Sequence, residues 1–180
     1  MLAPTGVGVL YGKQEVLEML RPVRTGGGMV DQVTRERTTF DRLPQRLEAG
    51  TPNISGIIAL GSAMDYLTQK GPEMIRSYEA DLLSHAETEL AGIEGLRILG
   101  HPARRAGAVS FTVDGVHPFD IAAILDKMGY AVRSGNHCAQ PALQSLGADK
   151  AVRLSPAFYN TPEEIERFCD ALRKVLQLLW

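Results

Sequence analysis

With 180 residues, 44% of them hydrophobic, the chain has enough apolar side chain for a core and fits one domain or a domain plus part of a second. Its 19 lysines and arginines are balanced by 21 acids, giving a net charge of −2 and no long basic run, so small molecules and proteins are the expected partners and nucleic acid is not. No apolar stretch reaches the roughly 18 residues of a membrane span, and the N-terminus lacks the blocks of a signal peptide, so no membrane role is expected and the expected location is cytoplasmic.

In chain order, Val7-Gly-Val-Leu-Tyr11 predicts a short buried strand. A lone strand needs neighbours that the following sequence does not supply, so the first part of this domain is expected to be missing. A helical piece covers Glu15 to Leu20, and Arg21 through Arg46, with Gly26-Gly27-Gly28, reads as one long loop of the kind that serves function or an interface. Glu48-Ala-Gly-Thr-Pro-Asn53 then starts a helix from Ile54 to Leu67 that is apolar nearly all round and is expected to be buried against another domain or subunit.

Gly71-Pro72 opens an amphipathic helix with Ile75, Tyr78, Leu82, Ala86, Leu90 and Ile93 on one stripe, read as a connector. From Leu96 the elements shorten: strands at 97–99 and 108–113, a helix at 119–128, a strand at 130–133, a helix at 141–146 and a strand at 151–155. Thr161-Pro-Glu-Glu164 is a capping box with proline in the first helical position, and it starts the last helix. These elements make a small α+β domain.

The chemistry concentrates in Arg133-Ser-Gly-Asn-His-Cys-Ala139. A thiol attacks only as thiolate, which neighbouring positive charge favours, so Cys138 is a candidate nucleophile; Gly135 lets the loop turn to present it. The alternative is a buried cysteine after a strand. Arg153, in the apolar run Ala151 to Ser155, needs an anion, either a bound carboxylate or an Asp or Glu of the protein. Arg133 poses the same question. His137 is a candidate for orienting thiol or substrate, although neighbours in an extended loop point apart.

Gly50-Thr51 near a helix start offers a phosphate site or a simple helix cap. Cys169 lies on a helical stripe with Ile165, Phe168, Leu172, Val175, Leu176 and Leu179 and is expected in the core; no disulfide with Cys138 is expected. His85, His101 and His117 show no metal-ligand spacing, so no metal site is expected, and they read as surface or capping residues.

Together with Pro4-Thr-Gly6, Glu48-Ala-Gly-Thr-Pro-Asn53 and Arg153-Leu-Ser-Pro-Ala-Phe-Tyr-Asn160, the cysteine loop resembles the C-terminal part of SufS-type cysteine desulfurases, group II members of the class V aminotransferase family. The resemblance spans essentially the whole chain, and Arg-x-Gly-x-His-Cys-Ala is its specific element. It implies an α/β protein of fold type I, the pyridoxal 5'-phosphate (PLP)-dependent transferases. Residues 1–70 would then be the end of the large cofactor-binding domain with dimer-interface segments, 71–95 a connecting helix, and 96–180 a complete small α+β domain carrying the cysteine loop. The implied reaction turns L-cysteine into L-alanine and an enzyme-bound persulfide, supplying sulfur for iron–sulfur cluster assembly through a sulfur-acceptor protein.

By the same resemblance Cys138 takes the sulfur, Arg153 binds the substrate carboxylate, Arg133 and His137 line the substrate pocket, and Gly50 and Thr51 touch the cofactor phosphate of the neighbouring subunit in a homodimer. Asn136 departs from the pattern, which more often has a second histidine there. The Schiff-base lysine of the family precedes the segment corresponding to Met1-Leu-Ala-Pro-Thr-Gly6, so the chain is expected to be a fragment that binds the cofactor weakly or not at all and does not turn over alone. The competing readings are a cofactor-free persulfide acceptor, an interaction module dimerising through Arg21 to Leu67, and a selenocysteine lyase.

Overall fold

The computed structural model describes residues 2–103, 105 and 107–180. The chain divides into two compact units, Met1–Lys70 and Gly71–Trp180.

In the first unit, helix α1 (Gln14–Met19) precedes a hairpin of β1 (Val30–Val33) and β2 (Thr38–Phe40), and helix α2 (Ile54–Lys70) closes the unit. The hairpin corrects the long-loop expectation. Its turn is set by Thr34, whose backbone N–H donates to the Arg37 carbonyl at 2.8 Å and whose hydroxyl oxygen accepts from Arg37 N at 3.0 Å. Every residue of β1 is exposed, so no apolar alternation marks the strand in the sequence.

Asn53 caps α2: its Oδ1 accepts from Gly56 N at 3.1 Å while its Nδ2 donates to the Gly6 carbonyl at 3.3 Å. Gly56 is the one buried residue of α2, and the Val7 side chain occupies the space a Cβ there would need. One expectation fails in this unit. Residues 7–11 form no strand, and Val9, Leu10 and Tyr11 are exposed; among the described residues no strand pairs with them. Ile54, Ile57, Ile58, Met64 and Tyr66 of α2 are all exposed in this chain, which leaves free the apolar surface expected to pack against another domain or subunit.

The second unit holds helix α3 (Pro72–Ala91), strands β3 (Leu96–Ile98) and β4 (Val109–Val113), helix α4 (Pro118–Lys127), strand β5 (Arg133–Gly135), helix α5 (Gln140–Ser145), strand β6 (Ala151–Leu154) and helix α6 (Pro162–Leu179). Its sheet runs in the order β3-β4-β6-β5, every pair antiparallel. Val109, Phe111 and Val113 alternate inward along β4 and meet Leu82, Leu83, Ala86 and Leu90 of α3, Ile121 and Leu125 of α4, and Ile165, Phe168, Leu172, Val175 and Leu176 of α6. Each Val, Leu, Ile or Phe side chain among them contributes about 1.5–3 kcal/mol by leaving water. The helix read as a connector is thus part of this core.

The capping box forms as the sequence predicts: Glu164 N donates to Thr161 Oγ1 at 3.3 Å, and Thr161 N donates to Glu164 Oε2 at 3.0 Å. Strand β5 starts three residues later than expected, because Gly129 (φ 87°) and the Tyr130 N–H, bonded to the Leu125 carbonyl at 2.9 Å, are still closing α4.

Candidate active site

The delayed start of β5 makes Arg133 its first residue, and the register then sets Arg133 directly opposite Arg153 on β6. Ser110 of β4 faces Arg153 from the other side. Because Val109 and Phe111 point into the core, Ser110 and the two arginines share the sheet face turned away from it. Like charges directly opposite destabilise a ladder unless an anion intervenes. Among the described residues no ion pair includes Arg133 or Arg153, and Arg153 Nε is buried without a hydrogen-bond partner. The carboxylate partner from within the protein, one of the two sequence readings, is therefore not formed.

The loop after β5 is not extended. Gly135 takes φ 125°, open only to glycine, and His137 and Cys138 follow at φ 55° and 57°. Left-handed backbone costs a non-glycine residue about 1–2 kcal/mol. The loop is held by Asn136, whose side-chain Oδ1 accepts from Cys138 N at 3.1 Å and whose carbonyl accepts from Ala139 N at 2.9 Å. In this posture Cys138 is exposed, and Arg133 Nη2 donates to its Sγ at 3.5 Å. The sulfur is thus both solvent-reachable and in contact with a cationic donor.

His137 is half-buried, and neither ring nitrogen makes a well-formed hydrogen bond among the described residues. Burial first, then the charges of Arg153 and Arg133, hold it below the ordinary histidine value, opposed by the Ala151 backbone. Its surroundings thus disfavour the protonated ring. Helix α5, which continues from the cysteine loop, is anchored at its far end by Arg97, whose Nη1 and Nη2 donate to the carbonyls of Leu146 and Gly147 at 2.9 and 3.0 Å.

An open cleft of about 670 Å³ is lined by Arg133, Arg153, Tyr130, Asn160, Glu164 and Arg167, among others. The segment behind it is fixed to α3 by two bonds: Tyr78 Oη donates to the Asn160 carbonyl at 3.0 Å, and Phe158 N donates to Glu79 Oε1 at 3.1 Å.

Arg133, His137, Cys138 and Arg153 thus come together in the second unit. Gly50 and Thr51 belong to the first. Gly50 has φ 83° and its N–H donates to the Gly27 carbonyl at 2.9 Å, while Thr51 is exposed and Asn53, the other capping residue of this segment, makes the helix cap. Cys169 is fully buried, and burial pushes its thiol up to about 11. His117 caps α4, its Nδ1 accepting from Phe119 N at 3.2 Å. Sequence reasoning missed Asn136 as the residue that holds the loop. An Asn two residues before a turn's exposed side chain is the signal that was available.

The aminotransferase class-V family matches residues 1–168. A probable cysteine desulfurase of Xylella fastidiosa (strain Temecula1) is 46% identical over 179 residues, covering 99% of this chain and 43% of that protein. A cysteine desulfurase of Synechococcus elongatus is 45% identical over 175 residues, covering 97% of this chain and 28% of that protein. Among solved structures, the cysteine desulfurase CsdA (S-sulfonic acid) from Escherichia coli superposes with a TM-score of 0.92 at 38% identity, covering 99% of this chain and 44% of that one. The apo cysteine desulfurase of Thermococcus onnurineus NA1 gives a TM-score of 0.91 at 38% identity, covering 98% and 44%. The chain therefore spans less than half the length of these relatives. Its α/β fold is that of a C-terminal segment of fold type I enzymes. With a match along nearly all of its length, the chain belongs to the aminotransferase class-V family, whose members depend on pyridoxal phosphate.

Proposed function

We propose that this chain carries the substrate-binding and sulfur-accepting side of a SufS-type cysteine desulfurase. The observation that carries the reading is the unpaired Arg133–Arg153 couple with Cys138 Sγ against one of its members. Arg153 binds the carboxylate of L-cysteine, the anion its buried Nε lacks. Arg133 holds the attacking sulfur in place through its Nη2 contact, and burial and the two cations disfavour a third positive charge on His137. Cys138 Sγ forms a bond to the substrate sulfur as the substrate carbon–sulfur bond breaks. Protonation of that carbon gives L-alanine and leaves a persulfide on Cys138. Pyridoxal phosphate, when bound, supplies the electron sink for breaking the carbon–sulfur bond.

Toward that cofactor the residues fit in part. Thr51 offers an exposed hydroxyl to a phosphate, in this reading that of a neighbouring subunit in a homodimer, and the Gly50 N–H is already engaged. All five lysines, Lys13, Lys70, Lys127, Lys150 and Lys174, are exposed, and none sits in the buried, charge-perturbed setting that a Schiff-base lysine requires. The exposed sulfur suits delivery to an acceptor protein in the cytoplasm for iron–sulfur cluster assembly. No described helix is long and apolar enough to cross a membrane.

The test is the enzyme carrying these residues, loaded with pyridoxal phosphate and given L-cysteine. A one-sulfur mass increment on the Cys138 peptide with matching L-alanine supports the reading. An increment obtained only from a persulfide donor, without L-alanine, replaces it with a sulfur-relay module.

A further inference from the structure

We propose that Asn136 is a positioning residue for Cys138: its side-chain amide oxygen locks the loop so that the sulfur rests on Arg133. The proposal builds on the reading of Cys138 as the sulfur acceptor. His137 and Cys138 are consecutive non-glycine residues with left-handed backbone, a conformation the chain adopts only where its surroundings impose it. Among the described residues, the side-chain hydrogen bonds made to this loop are the one from Cys138 N to Asn136 Oδ1 at 3.1 Å and the one from Arg133 Nη2 to Cys138 Sγ at 3.5 Å.

The first sets the direction of the Cα–Cβ bond of Cys138, and the second is its consequence. Asparagine suits the position because its short amide bonds the backbone two residues ahead. Without that acceptor the backbone at 137 and 138 relaxes toward the right-handed or extended regions. The Cβ then swings, and the sulfur leaves the guanidinium. Asn136 itself touches no reacting atom; it acts through Cys138.

The experiment measures iodoacetamide alkylation of Cys138 at neutral pH by peptide mass, with buried Cys169 as an internal monitor of folding. It needs neither cofactor nor L-cysteine, so its outcome is independent of the sulfur-transfer test above. In the unaltered chain, Arg133→Gln slows alkylation. Asn136→Ala is expected to slow it severalfold and to abolish its dependence on Arg133, while Asn136→Ser, which keeps an oxygen acceptor in the turn, restores both. Alkylation of Asn136→Ala at the original rate with the original Arg133 dependence, Cys169 staying silent, overturns the proposal. If Cys169 becomes reactive in Asn136→Ala, the Ser variant decides: retained dependence on Arg133 supports the assignment, and lost dependence rejects it.

Discussion

Arg133 and Arg153 stand directly opposite one another in the β5–β6 ladder, and neither guanidinium has a carboxylate partner among the described residues. A cross-strand pair of like charges costs roughly 0.2–1 kcal/mol, so the fold carries a small penalty that an anionic ligand removes. Arg133→Gln is predicted to raise the urea midpoint slightly at low salt, with the gain vanishing at about 1 M salt, where charges are screened within about 3 Å. In the loaded enzyme Arg153→Gln raises KM for L-cysteine far more than it lowers kcat. An unchanged KM would remove Arg153 from the carboxylate site.

The His137 ring supplies a second prediction, with a defined sign. Burial and the two arginines lower its folded-state value below 6.5. In the window between the folded and unfolded values the unfolded chain binds the extra proton, so the histidine's contribution to stability is intact above about 6.5 and is lost as pH falls through the folded value. Urea midpoints measured from pH 7.5 down to 5 should fall in this window, and the fall should be smaller in His137→Gln. Identical pH profiles for the two proteins would contradict the buried, cation-flanked environment.

The second unit was largely legible because its signals are local and strong. The capping box at Thr161 predicts the start of α6, and the stripe that carries Cys169 predicts its burial in the core, both as observed. The shift in β5 was not legible, since Tyr130, Ala131 and Val132 have strand-like composition, and only the closing turn of α4 through Gly129 keeps them out of the ladder. The first unit was harder to read. Its hairpin has no buried face to impose a period-2 pattern, and the apolar surfaces of residues 7–11 and α2 predict burial that this chain by itself does not provide. At the site, composition pointed to Cys138, Arg133 and Arg153. The pairing that opposes the arginines is a property of strand register, and Asn136 gained its role only through backbone geometry.

A third prediction concerns the lysines. Each is exposed, so pyridoxal phosphate followed by borohydride is expected to label this chain weakly and over several lysines. A single stoichiometric adduct at one lysine, seen by peptide mass, would show that one of them takes up a buried setting and would reverse the cofactor fit argued above.

The two thiols supply the fourth prediction, because they sit in opposite environments. Cys138 is exposed against a guanidinium; Cys169 is fully buried on α6 among Phe168, Leu172 and the β4 side chains, and its thiol is pushed up to about 11. At pH 8 in native conditions, iodoacetamide should modify Cys138 alone, and Cys169 only after urea is added. Cys169→Ser should destabilise the second unit by about 1–3 kcal/mol, the cost of burying a hydroxyl without a partner, while Cys169→Ala costs less because it leaves only a small void. If both substitutions were neutral in urea melts, Cys169 would not lie in the packed interior of α6. The sheet face opposite to it, on which the two arginines are placed, would lose the rigid backing that their register requires.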